Sequence, residues 1–299
     1  MPKVVIVGAG SVGTTLAYTL QITGVATKIV LIDSNHELAE GQVMDMNHGL
    51  PFVPPVHIHA GEYPDCKGAD VIVITAGARQ KPGETRLDLV DSITRHTREA
   101  FLLVVTNPVD IMTYAVVKYS RLPPHQVIGS GTVLDSARFR YLLGQHCNID
   151  THNVHAYVIG EHGDSEVLLW SQVRMAGTSL ELFCAHCACG CTPLDKTEIT
   201  KAVKNSAYHI IEAKGSTNYG VALAVTNIVE AVIRDENSAL TISMMLNGEY
   251  GINECCLSVP CIVNKKGVSR IVEAELDHTE RNDLNQSAEV LRNICRRVL

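Results

Sequence analysis

Three stretches of this sequence place proton-transferring and anion-binding groups at short, regular spacings. In 132-TVLDSAR-138, Asp135 and Arg138 stand three residues apart, which on a helix puts both on one face. In 160-GEHGDSE-166, His162 occupies a polar, glycine-flanked turn. An imidazole titrates near neutrality, so it can give a proton to a reacting oxygen or take one from it. A carboxylate beside it would fix its tautomer and favour its charged form, and an arginine offers a planar fork that fits a substrate carboxylate. The third stretch, 75-TAGARQKPGETR-86, follows an apolar run and carries arginine at both ends of a turn-rich segment. Each stretch also has a plainer reading. A histidine in a turn can be a surface residue, and an Asp–Arg pair can be a helix-face ion pair of little weight.

A fourth stretch suits a nucleotide. Gly8-Ala9-Gly10-Ser11-Val12-Gly13 is a G-x-G-x-x-G that leaves one apolar run and enters a helical pattern. In that setting Gly8 permits the tight turn, Gly10 lets the backbone approach a pyrophosphate, and Gly13 allows the helix to pack close to the strand. The helix N-terminus then presents amide donors to the phosphates. Asp33, twenty residues past Gly13, ends the next apolar run. There its carboxylate can accept from a ribose diol and would repel a 2′-phosphate, so NAD is expected rather than NADP. As a turn or capping residue it would need no ligand.

Strands and helices alternate in the elements that must position these groups. Apolar runs at 3–8, 27–32, 70–75, 101–106 and 126–128 read as strands. Helical patterns fall at about 11–23, 36–48, 86–99 and 109–119. The strand runs are almost continuously apolar, as parallel strands covered on both faces must be, and the alternation implies right-handed crossovers. Beyond residue 130 the pattern changes. A helix at 132–146 and shorter strands lead to helices near 195–213 and 219–234, three strand-like runs within 239–273, and a last helix from about 279. The expected architecture is α/β: a Rossmann-type doubly wound parallel sheet over residues 1–130, then an α+β substrate-binding domain over 131–299. Gly129-Ser130-Gly131 marks the boundary as a hinge or a tight turn.

Taken together, VVIVGAGSVG, TAGARQKPGETRLDLV, VVTNPVD, GSGTVLDSARFRYLL and GEHGDSE resemble the L-lactate/malate dehydrogenase family, its lactate branch most closely, over essentially the whole chain. The resemblance implies NAD-dependent hydride transfer between pyruvate and L-lactate. By it His162 is the acid/base, Asp135 its carboxylate partner, Arg138 the anchor for the substrate carboxylate, and Arg86 the group that polarises the carbonyl as a lid closes. Asn107 would orient nicotinamide and substrate, and Thr217 would wall the pocket. Gln80 would face the variable end of the substrate, where malate-type members carry arginine. The same resemblance implies that Val12, Tyr63, Gly77 and Ala78, with Thr106, Asn107 and Ser130, join Gly8, Gly10, Gly13 and Asp33 in holding NAD. It also matches Arg140 and His155 to positions where bacterial allosteric members bind fructose 1,6-bisphosphate between subunits of a homotetramer.

One departure stands out. Between Leu89 and Phe101 the chain has only VDSITRHTREA, where family members carry roughly ten more residues, about three helical turns. That shortening leaves open an NAD-binding paralogue whose lid is held too tautly for fast turnover, while a malate-type enzyme is a separate alternative within the family.

Composition sets the outer limits. With 46% hydrophobic and 19% charged residues the chain is of ordinary globular balance. A net charge of −7 argues against nucleic acid as a partner, and the longest apolar run, 100-AFLLVV-105, is far too short to span a bilayer. Ten cysteines without a secretory signal point to reduced thiols in the cytoplasm, within glycolysis and fermentation if the resemblance holds. Cys184, Cys187, Cys189 and Cys191, with His186, include zinc-ligand types. They crowd one short segment rather than two separated pairs, so no metal is expected.

Overall fold

The computed structural model describes residues 1–76, 86–185 and 194–298, with the backbone alone at 86, 87 and 298. The first half alternates as expected: β1 (Lys3–Val7), α1 (Ser11–Thr23), β2 (Lys28–Ile32), α2 (His36–His48), β3 (His57–Ala60) and β4 (Val71–Ile74). There follow α3 (Arg86–Thr94), β5 (Phe101–Val104), α4 (Val109–Ser120) and β6 (Val127–Gly129). All six strands pair in parallel, in spatial order β6-β5-β4-β1-β2-β3, and the order reverses at β1/β4. Ligands bind beyond the carboxyl ends of such strands at the reversal point, where the Gly8 turn and the 75–86 segment emerge. The apolar runs are required by burial, since β1, β2, β4 and β5 have their central residues fully inside. Leu16, Leu20, Val225 and Val229 cover one face, and Val90, Ile93, Met112 and Val116 cover the other.

Two departures from the sequence expectation have local causes. Strand β3 was not anticipated, because 57-HIHA-60 has a single strongly apolar residue. It is a rim strand with only one neighbour among the described residues, β2, so it lacks the continuous apolar signature of the inner strands. Helix α3 ends at Thr94 and does not reach 99. The Thr97 hydroxyl accepts from the Glu99 and Ala100 backbone N–H groups at 3.4 Å, and this local turn replaces further helix as the chain bends into β5.

The second half opens with α5 (Val133–Cys147) and five two-residue strands, β7 (Val154–His155), β8 (Val158–Ile159), β9 (Val167–Leu168), β10 (Arg174–Met175) and β11 (Thr178–Ser179). Helices α6 (Leu180–Ala185), α7 (Lys196–Lys214) and α8 (Tyr219–Ile233) follow. The antiparallel strands β12 (Ser238–Asn247), β13 (Asn253–Asn264) and β14 (Gly267–Ile271) precede α9 (His278–Val298). These last strands continue the first sheet: β12 lies antiparallel to β6 through Ser243↔Gly129, making nine strands among the described residues. The glycines at the join form a tight turn rather than a slack hinge. Gly131 has φ +54°, and a Cβ there would stand 2.5 Å from the Ser243 nitrogen; one on Gly129 would stand 2.4 Å from Thr113 Oγ1. Among the described residues no helix is long and apolar enough to cross a membrane.

Helix α9 is fastened at its start by a reciprocal cap. The Glu280 backbone N–H donates to Asp277 Oδ1 at 2.8 Å, and the Asp277 N–H donates to Glu280 Oε2 at 3.1 Å. The buried Glu280 carboxylate also accepts from the Ser171 backbone at 2.9 Å and from the Ser171 hydroxyl at 2.7 Å. Glu280→Ala removes one acceptor from three donors, and we expect a loss of about 2–3 kcal/mol, read as a lower urea midpoint with unchanged slope. A midpoint equal to that of the unmodified protein would show that water replaces these bonds freely.

Candidate active site

Helix α5 carries two of the expected residues and is pinned to two strands, β8 and β12. The Thr132 hydroxyl donates to Val158 O at 2.5 Å, Ser136 Oγ accepts from the Val158 N–H at 2.9 Å, and Ser136 meets the Thr241 hydroxyl at 3.1 Å. This fixes the face bearing Asp135 and Arg138. The turn after β8 is held as tightly. Gly160 exchanges backbone hydrogen bonds with Ser258 of β13 at 2.8 and 3.0 Å, and the Glu161 N–H donates to Ser287 Oγ of α9 at 2.8 Å. Gly160 takes φ +90°, which reverses the chain and aims the next residues at α5.

Those constraints bring His162 to Asp135. The ring Nδ1 lies 2.5 Å from Asp135 Oδ2, while Arg138 Nη1 donates to Asp135 Oδ1 at 2.8 Å. One buried carboxylate therefore holds an imidazole and a guanidinium together; the helical spacing put Asp135 and Arg138 on one face, and the family resemblance implied the pairing with His162. Burial works against charge on His162. The Asp135 carboxylate and its hydrogen bond outweigh it, helped by Asp110 and Glu166, and push the imidazole up to about 9. Burial likewise opposes ionisation of Asp135, but His162 and Arg138 hold it below the usual carboxylate range. His162 keeps 24% of its side-chain surface open and Arg138 keeps 13%, so the free ring nitrogen and the rest of the guanidinium fork can still meet a ligand. The arrangement can pass a proton to an oxygen and bind a neighbouring carboxylate.

A small cavity of about 40 Å³ adjoins His162, bounded by Asn107 and Ser130 at the ends of two strand loops and by Leu134, Val221 and Val225. Asn107 and Ser130 thus line the same cavity as the imidazole. Thr217 lies in the short connection between α7 and α8 and is half-buried, but it does not line this cavity. Gly77, Ala78 and Gln80 fall outside the described residues, as does the side chain of Arg86, whose backbone begins α3. So do His186, Cys187, Cys189 and Cys191; Cys184 is exposed. Two acids of the site went unassigned in the sequence, although both stand in quoted motifs. Asp110, the last residue of VVTNPVD, accepts from the His162 backbone N–H at 2.8 Å, and Glu166 closes GEHGDSE. Burial pushes Glu166 up to about 8, with the Asp135 charge adding to the shift.

Comparison with known proteins places this geometry. The lactate/malate dehydrogenase NAD binding domain matches residues 2–129, and the alpha/beta C-terminal domain of the same family matches residues 132–299. The chain belongs to the lactate/malate dehydrogenase family. An L-lactate dehydrogenase of Acetivibrio thermocellus is 50% identical over 305 residues, covering 98% of this chain and 96% of that one. Another, from Thermoanaerobacterium saccharolyticum, is 49% identical over 309 residues, covering 100% and 99%. That alignment of 309 positions against a chain of 299 leaves about ten without a counterpart here. Among solved structures, MGS-M5, a lactate dehydrogenase from a Medee basin deep-sea metagenome library, superposes with TM-score 0.92 at 40% identity over 98% of this chain and 97% of that one. The minor L-lactate dehydrogenase of Enterococcus mundtii gives TM-score 0.92 at 37% identity, covering 100% and 98%.

The family's cofactor is NAD, and the residues here fit it. Gly10 caps α1 with no side-chain hydrogen bond, and a Cβ built there would meet nothing within 4 Å, so the helix amides face open space of the kind a pyrophosphate needs. Gly8 has φ +118°. Asp33 is tied to this turn: its Oδ2 accepts from the Ala9 N–H at 2.7 Å and its Oδ1 from the Asn35 N–H at 2.9 Å. It borders a cleft of about 430 Å³ shared with Tyr63, Ser92, Arg95 and His96, sized for an adenosine. Thr106 donates to Ala76 O at 2.8 Å and so links the ends of β4 and β5; Val12 is half-buried in the first turn of α1.

The glycines separate folding from binding. A Cβ on Gly13 would fall 1.9 Å from the Gly8 carbonyl oxygen, which is backbone and cannot step aside. Gly13→Ala should lower stability by about 1–3 kcal/mol and abolish NADH binding. Gly10→Ala should leave the melting temperature unchanged while weakening NADH binding by a factor of ten or more, on the order of 1.4 kcal/mol. NADH fluorescence titration beside thermal melting checks both, and equal melting losses in the two variants would sink the distinction.

Proposed function

We propose that this protein is an NAD-dependent L-lactate dehydrogenase, interconverting pyruvate and L-lactate in the cytoplasm as the closing step of fermentative glycolysis. The observation that carries the reading is the 2.5 Å pairing of His162 with Asp135, whose other oxygen holds Arg138. When bound, NADH supplies the hydride. His162, charged and oriented by Asp135, donates its proton to the pyruvate carbonyl oxygen; in the reverse direction the neutral ring takes the lactate hydroxyl proton. Arg138 uses the donors left over from Asp135 to hold the substrate carboxylate. Arg86, at the head of α3, polarises the carbonyl, Asn107 orients the substrate against the nicotinamide, and Thr217 borders the outer pocket. Residues 1–130 serve the cofactor, with Gly77 and Ala78 at the nicotinamide end, and residues 131–299 serve the substrate.

Gln80 sets the choice of acid. A neutral amide cannot pair the second carboxylate of oxaloacetate, and burying that charge unpaired costs several kcal/mol. The natural enzyme is expected to show a higher kcat/KM for pyruvate than for oxaloacetate, and Gln80→Arg should move the preference toward oxaloacetate. Following NADH absorbance with each substrate decides it. Faster oxaloacetate reduction by the natural enzyme would remove lactate from the assignment.

The assembly we propose is a homotetramer activated by fructose 1,6-bisphosphate. Arg140 donates from Nε at 3.1 Å to the carbonyl oxygen of Ala156, the residue after the exposed His155. Two such pairs from symmetry-related subunits would give a bisphosphate its charge-assisted donors. Tyr18, Ile22, Met44 and Leu223 expose apolar surface on α1, α2 and α8, as subunit contacts would require. The sugar bisphosphate should lower the KM for pyruvate and shift sedimentation toward the tetramer, and Arg140→Ala should cancel both effects. An unaltered KM and sedimentation at saturating ligand would leave Arg140 and His155 without this role.

A further inference from the structure

The proton-handling histidine is held by two carboxylates, one on its ring and one on its main chain, and only the first has a part in the reaction described above. The inference rests on the dehydrogenase reading. We propose that Asp110 is a positioning residue for His162: from the first turn of α4 its buried carboxylate fixes the His162 main chain and adds negative charge behind the ring that Asp135 orients from α5.

Geometry supplies the first argument. Three consecutive residues of the turn are anchored from three different elements. Gly160 is held by Ser258 of β13, Glu161 by Ser287 of α9, and His162 by Asp110 of α4, its N–H donating to Asp110 Oδ2 at 2.8 Å. A serine hydroxyl suffices for Glu161. At His162 the same mechanical task falls to an acid only 2% exposed, beside the buried Ser243 hydroxyl of β12. Burying a carboxylate is unfavourable unless its charge is used, so its presence at this one anchor points to an electrostatic task. The first turn of α4 partly offsets that penalty, because the helix N-terminus favours negative charge.

The surroundings supply the second. Around Asp110 and His162 stand Asp135 and Arg138 from α5, Glu161 and Glu166 from the turn, and Lys204 from α7. Cys255 and Cys256 of β13 and Cys295 of α9 also feel the Asp110 charge. Burial pushes Asp110 up to about 6, while the Ser243 hydroxyl, the His162 N–H and the His162 charge pull the other way; Asp110 in turn raises His162. The two groups favour each other's charged forms. When the imidazolium passes its Nε2 proton to the carbonyl oxygen, Asp110 is left facing a neutral ring, which favours return of a proton from solvent to that ring.

Sign follows from the direction of the shift. A base whose pKa is raised keeps its proton to higher pH, so pyruvate reduction, which needs imidazolium, should hold steady and fall as pH rises through about 9. Removing the Asp110 charge should move that fall to lower pH. The experiment compares the natural protein with Asp110→Asn and Asp110→Ala by three readouts: kcat/KM for pyruvate against pH, NMR titration of the His162 ring without cofactor, and melting temperature. The asparagine variant keeps an acceptor oxygen without charge. Its ring pKa and alkaline limb should both move down, and its kcat at low pH should fall less than that of alanine. The alanine variant loses the anchor as well, and its kcat should drop by about tenfold or more with NADH affinity unchanged. A ring titration and alkaline limb that stay in place in folded Asp110→Asn overturn the proposal, and so do equal kcat losses in both variants accompanied only by a lower melting temperature. Should the alanine variant not fold, the asparagine variant decides alone. If the natural protein reduces neither pyruvate nor oxaloacetate, it is the dehydrogenase reading that fails, and the NMR titration still tests Asp110.

Discussion

Everything in the site turns on one carboxylate shared between two cations. Asp135 is almost completely buried, and an isolated charge there would be strongly unfavourable. It is tolerable because His162 takes one oxygen and Arg138 the other. The reverse dependence is as strict: without Asp135 a buried imidazole would lose its proton, and Arg138 would lose the contact that aims its fork. The remaining framework delivers this carboxylate to its partners. Thr132 and Ser136 fasten α5 beside β8, and Ser258, Ser287 and Asp110 fasten the turn that presents the histidine.

The cofactor half obeys a different constraint, closeness of backbone to backbone. Gly13 lies against the Gly8 carbonyl, Gly8 lies against Thr75 and Ala76, and Asp33 is bound to the N–H of Ala9. Strand, turn and helix are in contact, with the Thr75 hydroxyl donating to Gly8 O at 3.0 Å, so the amides at the start of α1 hold their direction before any ligand arrives. Preorganisation of that kind spares the ordering entropy that a flexible phosphate loop would lose on binding.

What could be read in the sequence follows the strength of local patterns. The inner strands were legible because burial on both faces forces unbroken apolar runs, and the glycine turn was legible because each glycine answers a steric demand. The Asp135–Arg138–His162 constellation was visible as residue types at suggestive spacing, but its meaning came from resemblance to a family rather than from the spacing. Strand β3 escaped because a rim strand needs few apolar residues. The end of α3 was misplaced because a single threonine side chain, Thr97, redirects the backbone where the composition still suits a helix. Asp110 escaped for a deeper reason. Its partner is a backbone N–H 52 residues away, and main-chain partners leave no mark on the sequence.

The seam between β6 and β12 carries a consequence for how the molecule comes apart. The cofactor half and the substrate half share one hydrogen-bonded sheet through Ser243 and Gly129, and the glycines there are packed too closely to flex. Helices α1 and α8 bridge the same boundary, where Asn218 donates to Thr15 at 2.9 Å. Neither half therefore has a closed hydrophobic surface of its own. Heating should melt the two together in a single calorimetric transition, and a proteolytic nick near residue 130 should release no folded fragment. During synthesis, the amino-terminal strands must wait with β6 unpaired on one edge until β12, more than a hundred residues later, emerges to cover it.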